Sequence, residues 1–241
     1  MRFAIYFTPA HDAPLSSAAR SWIGRDAFHG KPVDVAPSAT LSAVQIEDLS
    51  SFPRHYGFHG TLKAPFYLKE DNPDRLRNAV RDFSDGITPF KTAPLQLTPL
   101  MNGHRHLTLM PEDRSEALQK LADDCVRFFE PFRAPLTEDD IQRRKPNQLT
   151  ERQRGYLQMW GYPYVFEDFR FHLTLSRALE DEEVKAAHDA AQNHFKAQLG
   201  QPLLVDGSAL FRQDDRQSDF VVDTYCAFEG ATINTPKMLE M

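Results

Sequence analysis

Cysteine is scarce in this sequence, and its scarcity excludes several kinds of protein. Cys125 and Cys226 are the two cysteines among 241 residues, and they form neither a Cys-x-x-Cys pair nor a metal-binding spacing. Two cysteines are too few for the disulfide framework of a small secreted domain. We therefore expect the protein to work in a reducing compartment.

Long apolar runs and an excess of basic residues are also missing. The N-terminal apolar stretch ends at Thr8-Pro9, too early for a secretory signal, and no segment approaches the ~20 apolar residues of a membrane span. The 28 Lys and Arg against 34 Asp and Glu give a net charge of −6, which argues against a protein that coats long nucleic acid. With 41% hydrophobic and 26% charged residues, the chain is typical of a globular protein that we expect to be soluble and cytoplasmic, with no membrane partner.

Strand and helix patterns alternate along the chain. Alternation of apolar and polar side chains predicts strands over residues 2–8, 58–68, 95–100, 104–110, 169–176, 203–211 and 220–228, and helical spacing predicts helices over 114–129 and 181–199. Met101-Asn102-Gly103 predicts the turn of a hairpin, and Asn72-Pro73 predicts the start of a helix. Antiparallel strands with helices packed on them predict an α+β fold.

The order of these elements repeats once. A histidine-bearing strand, a helix and two further strands occupy residues 57–110 and again residues 170–228, so we expect one domain made of two half-repeats. Residues 135–168 lie between the halves as an extra helical segment with a basic cluster at 143–154. That cluster is either a solvated helix face or a lid or wall of a substrate pocket.

The two half-repeats share a literal motif. Residues 58–62 read Phe-His-Gly-Thr-Leu and residues 171–175 read Phe-His-Leu-Thr-Leu. Because side chains alternate along a strand, His59 and Thr61 share one face, as do His172 and Thr174. If the halves pair about a pseudo-twofold axis, the two polar faces meet across one cleft.

Two imidazoles and two hydroxyls around one point suit phosphoester chemistry. Neutral histidine accepts a proton from water, and protonated histidine gives one to a leaving alkoxide. Threonine hydroxyls and nearby cations can hold the non-bridging oxygens as charge builds, so the pattern requires no metal and no cofactor. In the alternation along their strands, Lys63 and Arg170 share the face of the histidines, and Tyr6 lies on the polar face of the first strand. These three residues are further candidates for contact with the substrate.

The extended motifs resemble a known family. Residues 54–66 read Arg-His-Tyr-Gly-Phe-His-Gly-Thr-Leu-Lys-Ala-Pro-Phe, residues 160–166 read Trp-Gly-Tyr-Pro-Tyr-Val-Phe, and Arg170 opens the second motif. With the paired His-x-Thr-Leu motifs, they resemble the 2H phosphoesterase superfamily, in particular a branch found near bacterial phosphonate-utilisation genes. The superfamily includes RNA 2′,3′-cyclic phosphodiesterases and tRNA-splicing cyclic phosphodiesterases.

The resemblance implies a two-lobed fold with two antiparallel sheets facing a central cleft and helices outside. It assigns His59 with Thr61, and His172 with Thr174, to the two catalytic motifs, and it implies metal-free hydrolysis of a small cyclic or nucleotide-like phosphodiester. The extra segment 135–168 departs from the smaller members of the superfamily, so the substrate is not transferred from them.

Several matters stay open at the level of sequence. His106 also spells His-x-Thr-Leu, but its place on the last strand of the first half argues against catalysis, and a His104-x-His106 metal pair lacks matching carboxylates. The alternatives to a phosphodiesterase are a non-catalytic phosphate-binding module and an RNA-end-processing enzyme of the cyclic phosphodiesterase or 2′–5′ ligase kind. The acid and base roles of the two histidines and the oligomeric state are undetermined.

Overall fold

The computed structural model of the protein describes residues 1–101 and 105–228, apart from the side chains of Leu100 and Met101. The predicted turn at Asn102-Gly103 and the candidate ligand His104 lie outside the described residues. The strands are β1 (Arg2–Phe7), β2 (Arg25–Asp26), β3 (Lys31–Pro32), β4 (Gly60–Phe66), β5 (Phe90–Met101), β6 (Arg105–Pro111), β7 (Leu173–Thr174), β8 (Pro202–Val205), β9 (Gly207–Gln213) and β10 (Val221–Ala227). The α-helices are α1 (Pro14–Ile23), α2 (Ala43–Leu49), α3 (Ser51–Tyr56), α4 (Pro73–Asp85), α5 (Glu116–Phe129), α6 (Glu138–Arg143), α7 (Glu151–Trp160) and α8 (Asp181–His194).

The strands form two four-stranded antiparallel sheets, which confirms the predicted α+β class. Their orders are β10-β9-β1-β4 and β7-β6-β5-β8, and β2 pairs with β3 in a separate two-stranded ribbon. Helices α4 and α5 pack on the first sheet and α8 packs on the second. As predicted, the Asn72 side chain caps α4 by accepting a hydrogen bond from the Arg75 N–H, with Pro73 at the first helical position.

The two segments predicted to be half-repeats both contribute strands to both sheets. The first half places β4 in one sheet and the hairpin β5-β6 in the other, and the second half places β7 beside β6 and the pair β9-β10 beside β1. Each sheet therefore contains strands from both halves. This interleaving leaves β4 and β7, the strands that follow the two histidines, each at an edge of its sheet.

The main core runs beneath both sheets. Phe3, Ile5 and Phe7 on one face of β1 belong to a cluster that includes the apolar faces of α4, α5 and α8. Ala4 and Tyr6, on the opposite face of β1, belong to a second cluster with Phe211 and Phe220. Both faces of β1 are thus buried, and within its sheet the strand lies between β9 and β4.

Three predicted elements were wrong in extent. Residues 169–176 contain only the two-residue strand β7, which pairs with Thr108 and Leu109 of β6 and is followed by one further backbone hydrogen bond, from the Leu175 N–H to the Leu107 carbonyl. Residues 203–211 form two strands in different sheets, with Asp206 between them. The helix predicted to run to residue 199 ends at His194, and Phe195 turns into the core.

No helix in the described ranges has the length and apolar character needed to cross a membrane.

Candidate active site

The first motif histidine is oriented by the backbone that precedes it. Gly57 follows α3 with φ of +76°, a conformation that favours glycine, and its carbonyl accepts a hydrogen bond from Nδ1 of His59 at 2.9 Å. A Cβ at position 57 would lie 2.6 Å from the Cβ of Ala27. The chain therefore needs glycine here to place the carbonyl beneath the imidazole.

The second motif repeats the same arrangement. Nδ1 of His172 bonds the carbonyl of Arg170 at 2.8 Å, again two residues before the histidine. A carbonyl oxygen only accepts hydrogen bonds, so Nδ1 carries the hydrogen in both rings. Each neutral imidazole therefore presents an unprotonated Nε2, which is the atom that can accept or return a proton.

The two motifs pack directly against each other. A Cβ added at Gly60 would overlap the ring of Phe171 and lie 3.3 Å from a methyl carbon of Leu173. The rings of Phe171 and Phe7 meet edge to face with centroids 5.8 Å apart. This close approach explains why the first motif carries glycine where the second carries leucine.

Tyr6 forms one wall of the His59 environment. It lies directly opposite Thr61 in the β1–β4 pairing, and its ring stacks on the His59 ring with centroids 3.9 Å apart. Burial, with a smaller effect of the nearby His172 charge, outweighs the hydrogen bond to Gly57 and lowers the pKa of His59 from 6.5 to about 4. Burial also holds the pKa of Tyr6 well above its usual value, so its hydroxyl stays protonated.

His106 lies beside His172. It lines the same cavity, and its Nδ1 bonds the carbonyl of Ser176 at 3.1 Å. Burial lowers the pKa of His172, and the charge of His106 lowers it further. His106 does lie on β6, the last strand of the first predicted half, but the pairing of β6 with β7 places it on the same sheet face as His172, a proximity that the sequence did not indicate.

A cavity of about 370 Å³ opens where β4 and β7 face each other. Its polar lining residues include Thr61, Thr174, His172, His106, Arg170, Gln153 and Asp168, the carboxylate that pairs with Arg152. His59 is not among the lining residues, but it lies two positions before Thr61 on the same side of the chain. Thr61, His172 and Thr174 of the two motifs thus line one opening, which we call the cleft cavity, and His59 lies close enough to His172 for their charges to interact.

The extra segment supplies the outer wall of the cleft cavity. Tyr162, Tyr164, Val165 and Phe166 line it, together with Gln153 from α7. The segment is therefore a wall of the pocket. Its basic cluster is divided: Arg152 pairs with Asp168 at 2.8 Å, whereas other members of the cluster lie at a second pocket described below.

Lys63 does not continue the face of His59 and Thr61, contrary to the parity prediction. The pairing of β4 with β1 moves from Thr61 opposite Tyr6 to Lys63 opposite Ile5, so an irregularity at Leu62 shifts the side-chain alternation. The Lys63 ammonium is buried against α5, where it donates to Glu130 Oε2 at 2.9 Å and to the Val126 carbonyl at 3.1 Å. This geometry favours a structural role for Lys63.

Arg170 is exposed at the rim of the cleft cavity, where its guanidinium donates to the carbonyls of Glu167 and Phe169. Its position is compatible with contact to a substrate, which stays a prediction. Tyr6 is buried, stacks on the His59 ring and is not among the residues that line the cleft cavity; its contact with a substrate stays a prediction.

A cluster that could hold a metal lies away from these residues. His11, Asp26 and His29 offer ligand atoms within 4.8 Å of one another, and both imidazoles bond Asp26 Oδ2, at 2.9 and 2.8 Å. None of the three lines the cleft cavity. The His–Thr pairs of the cleft do not form such a cluster among the described residues.

Sequence reasoning missed the aromatic surroundings of the site. Tyr56 lies 5.8 Å from the His59 ring, and Tyr162 lines the cavity. Both lie inside segments 54–66 and 160–166, whose residues resemble the family, so the sequence did contain a signal for these aromatic side chains. It could not be assigned a role without the packing of α3 and of the extra segment.

Comparisons with known proteins place the chain among bacterial relatives. It is 35% identical over 234 residues to a protein of Janthinobacterium sp. (strain Marseille) and 31% identical over 226 residues to one of Laribacter hongkongensis (strain HLHK9), both named ribose 1,5-bisphosphate phosphokinase PhnN. These alignments cover 95% and 91% of this chain but 51% and 50% of the relatives. The chain thus spans about half the length of the curated relatives it matches.

Among solved structures, TT0787 of Thermus thermophilus aligns over 96% of this chain and 100% of its own, with a TM-score of 0.48 and 16% identity. A likeness at this level transfers no activity. The two-sheet α+β fold and the paired motifs that the resemblance to 2H phosphoesterases implies are nevertheless both present in this chain.

The match to a family model is more direct. The model described as "Protein of unknown function (DUF1045)" aligns with residues 61–221, about two thirds of the chain, and includes the whole second motif and the extra segment. This chain therefore belongs to the DUF1045 family.

Proposed function

We propose that this protein is a phosphodiesterase that hydrolyses a small cyclic or nucleotide-like phosphodiester, with His59 and His172 as the general acid–base pair. The observation that carries the proposal is the matched bond from each Nδ1 to the carbonyl two residues earlier. It leaves both Nε2 atoms available for proton transfer. Two imidazoles prepared in the same way at one cleft are what an acid and a base in one reaction require.

The proposed reaction uses one water molecule. One neutral Nε2 takes a proton from the water as its oxygen bonds to phosphorus, while the other imidazole, protonated, gives its proton to the leaving oxygen as the phosphorus–oxygen bond breaks. The products are a phosphomonoester and a freed hydroxyl, on the same molecule when the substrate is cyclic. After this step the base carries the proton and the acid is neutral; release of one proton from the base to solvent and uptake of one by the acid regenerate the pair.

A bound substrate favours the protonated form of the imidazole that acts as the acid. The pKa values of both imidazoles are lowered by burial in the unliganded protein, so both are mainly neutral at neutral pH. A bound phosphodiester brings a negative charge, which favours the protonated form of a neighbouring imidazole. Thr61 and Thr174 line the cavity and are placed to donate to the non-bridging oxygens.

The size of the cavity supports a small substrate. About 370 Å³ lies within the range of small-molecule sites, and Tyr162 and Tyr164 offer flat apolar surfaces for a sugar or base. The curated relatives are named for ribose 1,5-bisphosphate, a phosphorylated sugar of this size. Their kinase name belongs to proteins about twice as long and is not transferred to this chain.

The test is hydrolysis of adenosine 2′,3′-cyclic phosphate, followed by phosphorus NMR. We expect His59→Gln and His172→Gln each to lower kcat/KM by about 10²–10⁴-fold, the usual contribution of a positioned acid or base. His188→Gln, an exposed histidine on α8, is the matched control and should keep the activity of the native protein.

Activity within a few fold of the native value in either motif variant would contradict the proposed site. Tight binding of the cyclic phosphate by the native protein, without product from this or other cyclic phosphodiesters, would instead support the phosphate-binding module.

A further inference from the structure

A second pocket, of about 400 Å³, lies next to the cleft cavity and is strongly basic. Asp140 is the one carboxylate among its described lining residues, against five arginines: Arg2, Arg133, Arg143, Arg144 and Arg216. They come from the start of β1, from the segment after α5, from the end of α6 and from the loop between β9 and β10. We call this site the arginine pocket.

Its positive charge is only partly balanced within the protein. Arg216 pairs with Asp140, and Arg133 pairs with Glu130. In residues 1–101 and 105–228, by contrast, Arg2, Arg143 and Arg144 pair with no carboxylate, since Arg2 donates to the neutral Gln213 and Arg144 lies over the Tyr162 ring at 4.9 Å. Three guanidinium charges are therefore left without a counter-charge.

The charges within the arginine pocket also favour binding of an anion. Burial and the charge of Arg216 both lower the pKa of Arg2, so the pocket disfavours its own positive charge. Like charges held together cost free energy, and a bound anion would relieve that cost. Guanidinium groups also match phosphate geometry better than ammonium groups do.

Aromatic residues connect the arginine pocket with the catalytic histidines. Tyr56 lines the pocket, and its ring lies 5.8 Å from the ring of His59. Tyr162 lines the cleft cavity and Arg144 lies over its ring, while the preceding residue, Gly161, lines the arginine pocket. The two pockets therefore adjoin at residues 161 and 162.

We propose that the arginine pocket binds a second phosphoryl group of the same substrate, so that the substrate is a small phosphodiester that also carries a phosphomonoester. This inference rests on the proposed function for the position of the phosphodiester. A phosphomonoester brings a charge of about −1.5 to −2 near neutral pH, which suits three arginines without a counter-charge. It also gives the extra segment a role, since α6 and the residue after it supply Arg143 and Arg144.

The first arm of the test compares two substrates. We expect adenosine 2′,3′-cyclic phosphate that also carries a 5′-phosphate to be hydrolysed with a kcat/KM at least ~10-fold above that of the compound without it, as one or two charge-assisted hydrogen bonds provide. In the double variant Arg143→Gln/Arg144→Gln, the ratio of the two values should fall toward one. Arg81→Gln, an exposed arginine on α4 that lines neither cavity, removes one positive charge elsewhere and should leave the ratio unchanged.

The second arm does not depend on catalysis. Inorganic phosphate is titrated by calorimetry into the native protein, the double arginine variant and His172→Gln. Binding that persists in His172→Gln and weakens at least ~10-fold in the double variant supports the arginine pocket even if neither cyclic compound is hydrolysed. The proposed function and the subsite can then fail separately.

Three results would overturn the inference. One is a native protein that hydrolyses both compounds equally well. Another is phosphate binding that is lost in His172→Gln and unaffected in the double arginine variant. The third is tight, strongly salt-dependent binding of a single-stranded oligoribonucleotide without preference for a 5′-phosphate, which would assign the arginines to RNA instead.

Discussion

The protonation of His59 gives the sharpest prediction about this protein. Its ring stacks on Tyr6, and burial lowers its pKa to about 4, against 6.5 for a free histidine. In the unfolded chain the same side chain returns to its ordinary pKa. Acidification therefore protonates His59 in the unfolded state before it does so in the folded state, and the folded state loses stability relative to the unfolded one.

The sign and size follow from proton linkage. Between about pH 4 and 6.5 the unfolded state binds more protons, so the free energy of unfolding rises with pH in this window. The contribution of His59 is complete above about pH 6.5 and is lost as the pH falls toward about 4. The full loss is about 3 kcal/mol, of which about 2 kcal/mol is gone at about pH 5.

Urea unfolding at several values between about pH 5 and 7.5 measures this contribution. The pH dependence of the free energy of unfolding is compared between the native protein and His59→Gln. The other titrating groups are present in both proteins, so their contributions largely cancel in the difference. His172 is one of those groups, since burial lowers its pKa as well. We expect the native protein to lose about 2 kcal/mol more than His59→Gln on going to about pH 5, and His188→Gln to behave as the native protein does.

Equal pH dependence in the native protein and His59→Gln would refute this reasoning. So would an NMR titration that assigns His59 a pKa close to 6.5 in the folded protein. Either result would mean that the surroundings of His59 do not disfavour its protonated form as strongly as its burial and its stack on Tyr6 imply.

Three further predictions concern packing, charge and metal. Gly60→Ala, which sets a methyl group against the Phe171 ring, should lower the free energy of unfolding by about 1–3 kcal/mol and lower kcat/KM at least ~10-fold. Gly86→Ala is the control: no atom lies within 4 Å of its added carbon, so thermal unfolding and activity should change little. Lys63→Met should lower the free energy of unfolding by about 1–2 kcal/mol through loss of its hydrogen bonds to Glu130 and a backbone carbonyl, while a more than ~10-fold fall in kcat/KM would restore Lys63 as a ligand of the substrate. Hydrolysis of the cyclic phosphate should continue in excess EDTA, and complete loss that is restored by added metal would contradict the metal-independent mechanism.

Much of the local structure could be predicted from sequence because its causes are local. The Asn72 cap predicted the start of α4, and helical spacing predicted α5 over 114–129 where the helix spans Glu116–Phe129, since both signals lie within the helix itself. The duplicated motif identified His59 and His172 for the same reason: a repeat is visible without any fold. Alternation failed at Lys63, where an irregularity in β4 depends on the partner strand β1 and leaves no mark in the sequence of β4 itself.

Long-range pairing explains the other misses. The sequence presented His106 as a false copy of the motif, and only the pairing of β6 with β7 places it beside His172. The arginines of the second pocket are spread over the whole chain, from Arg2 to Arg216, so no local window contains them together.

By itself, the sequence determined the fold class and showed the repeated His-x-Thr motif from which we predicted two half-repeats, because periodicity and repetition can be seen in short stretches of sequence. Tertiary structure decided which side chains surround those pairs. The exchange of strands between the halves, the stack of Tyr6 on His59 and the unbalanced arginines beside Tyr56 each depend on residues far apart in the chain. The free energies of burial and of charge that set the chemistry of a site arise from those distant contacts, and they exist only once the chain has folded.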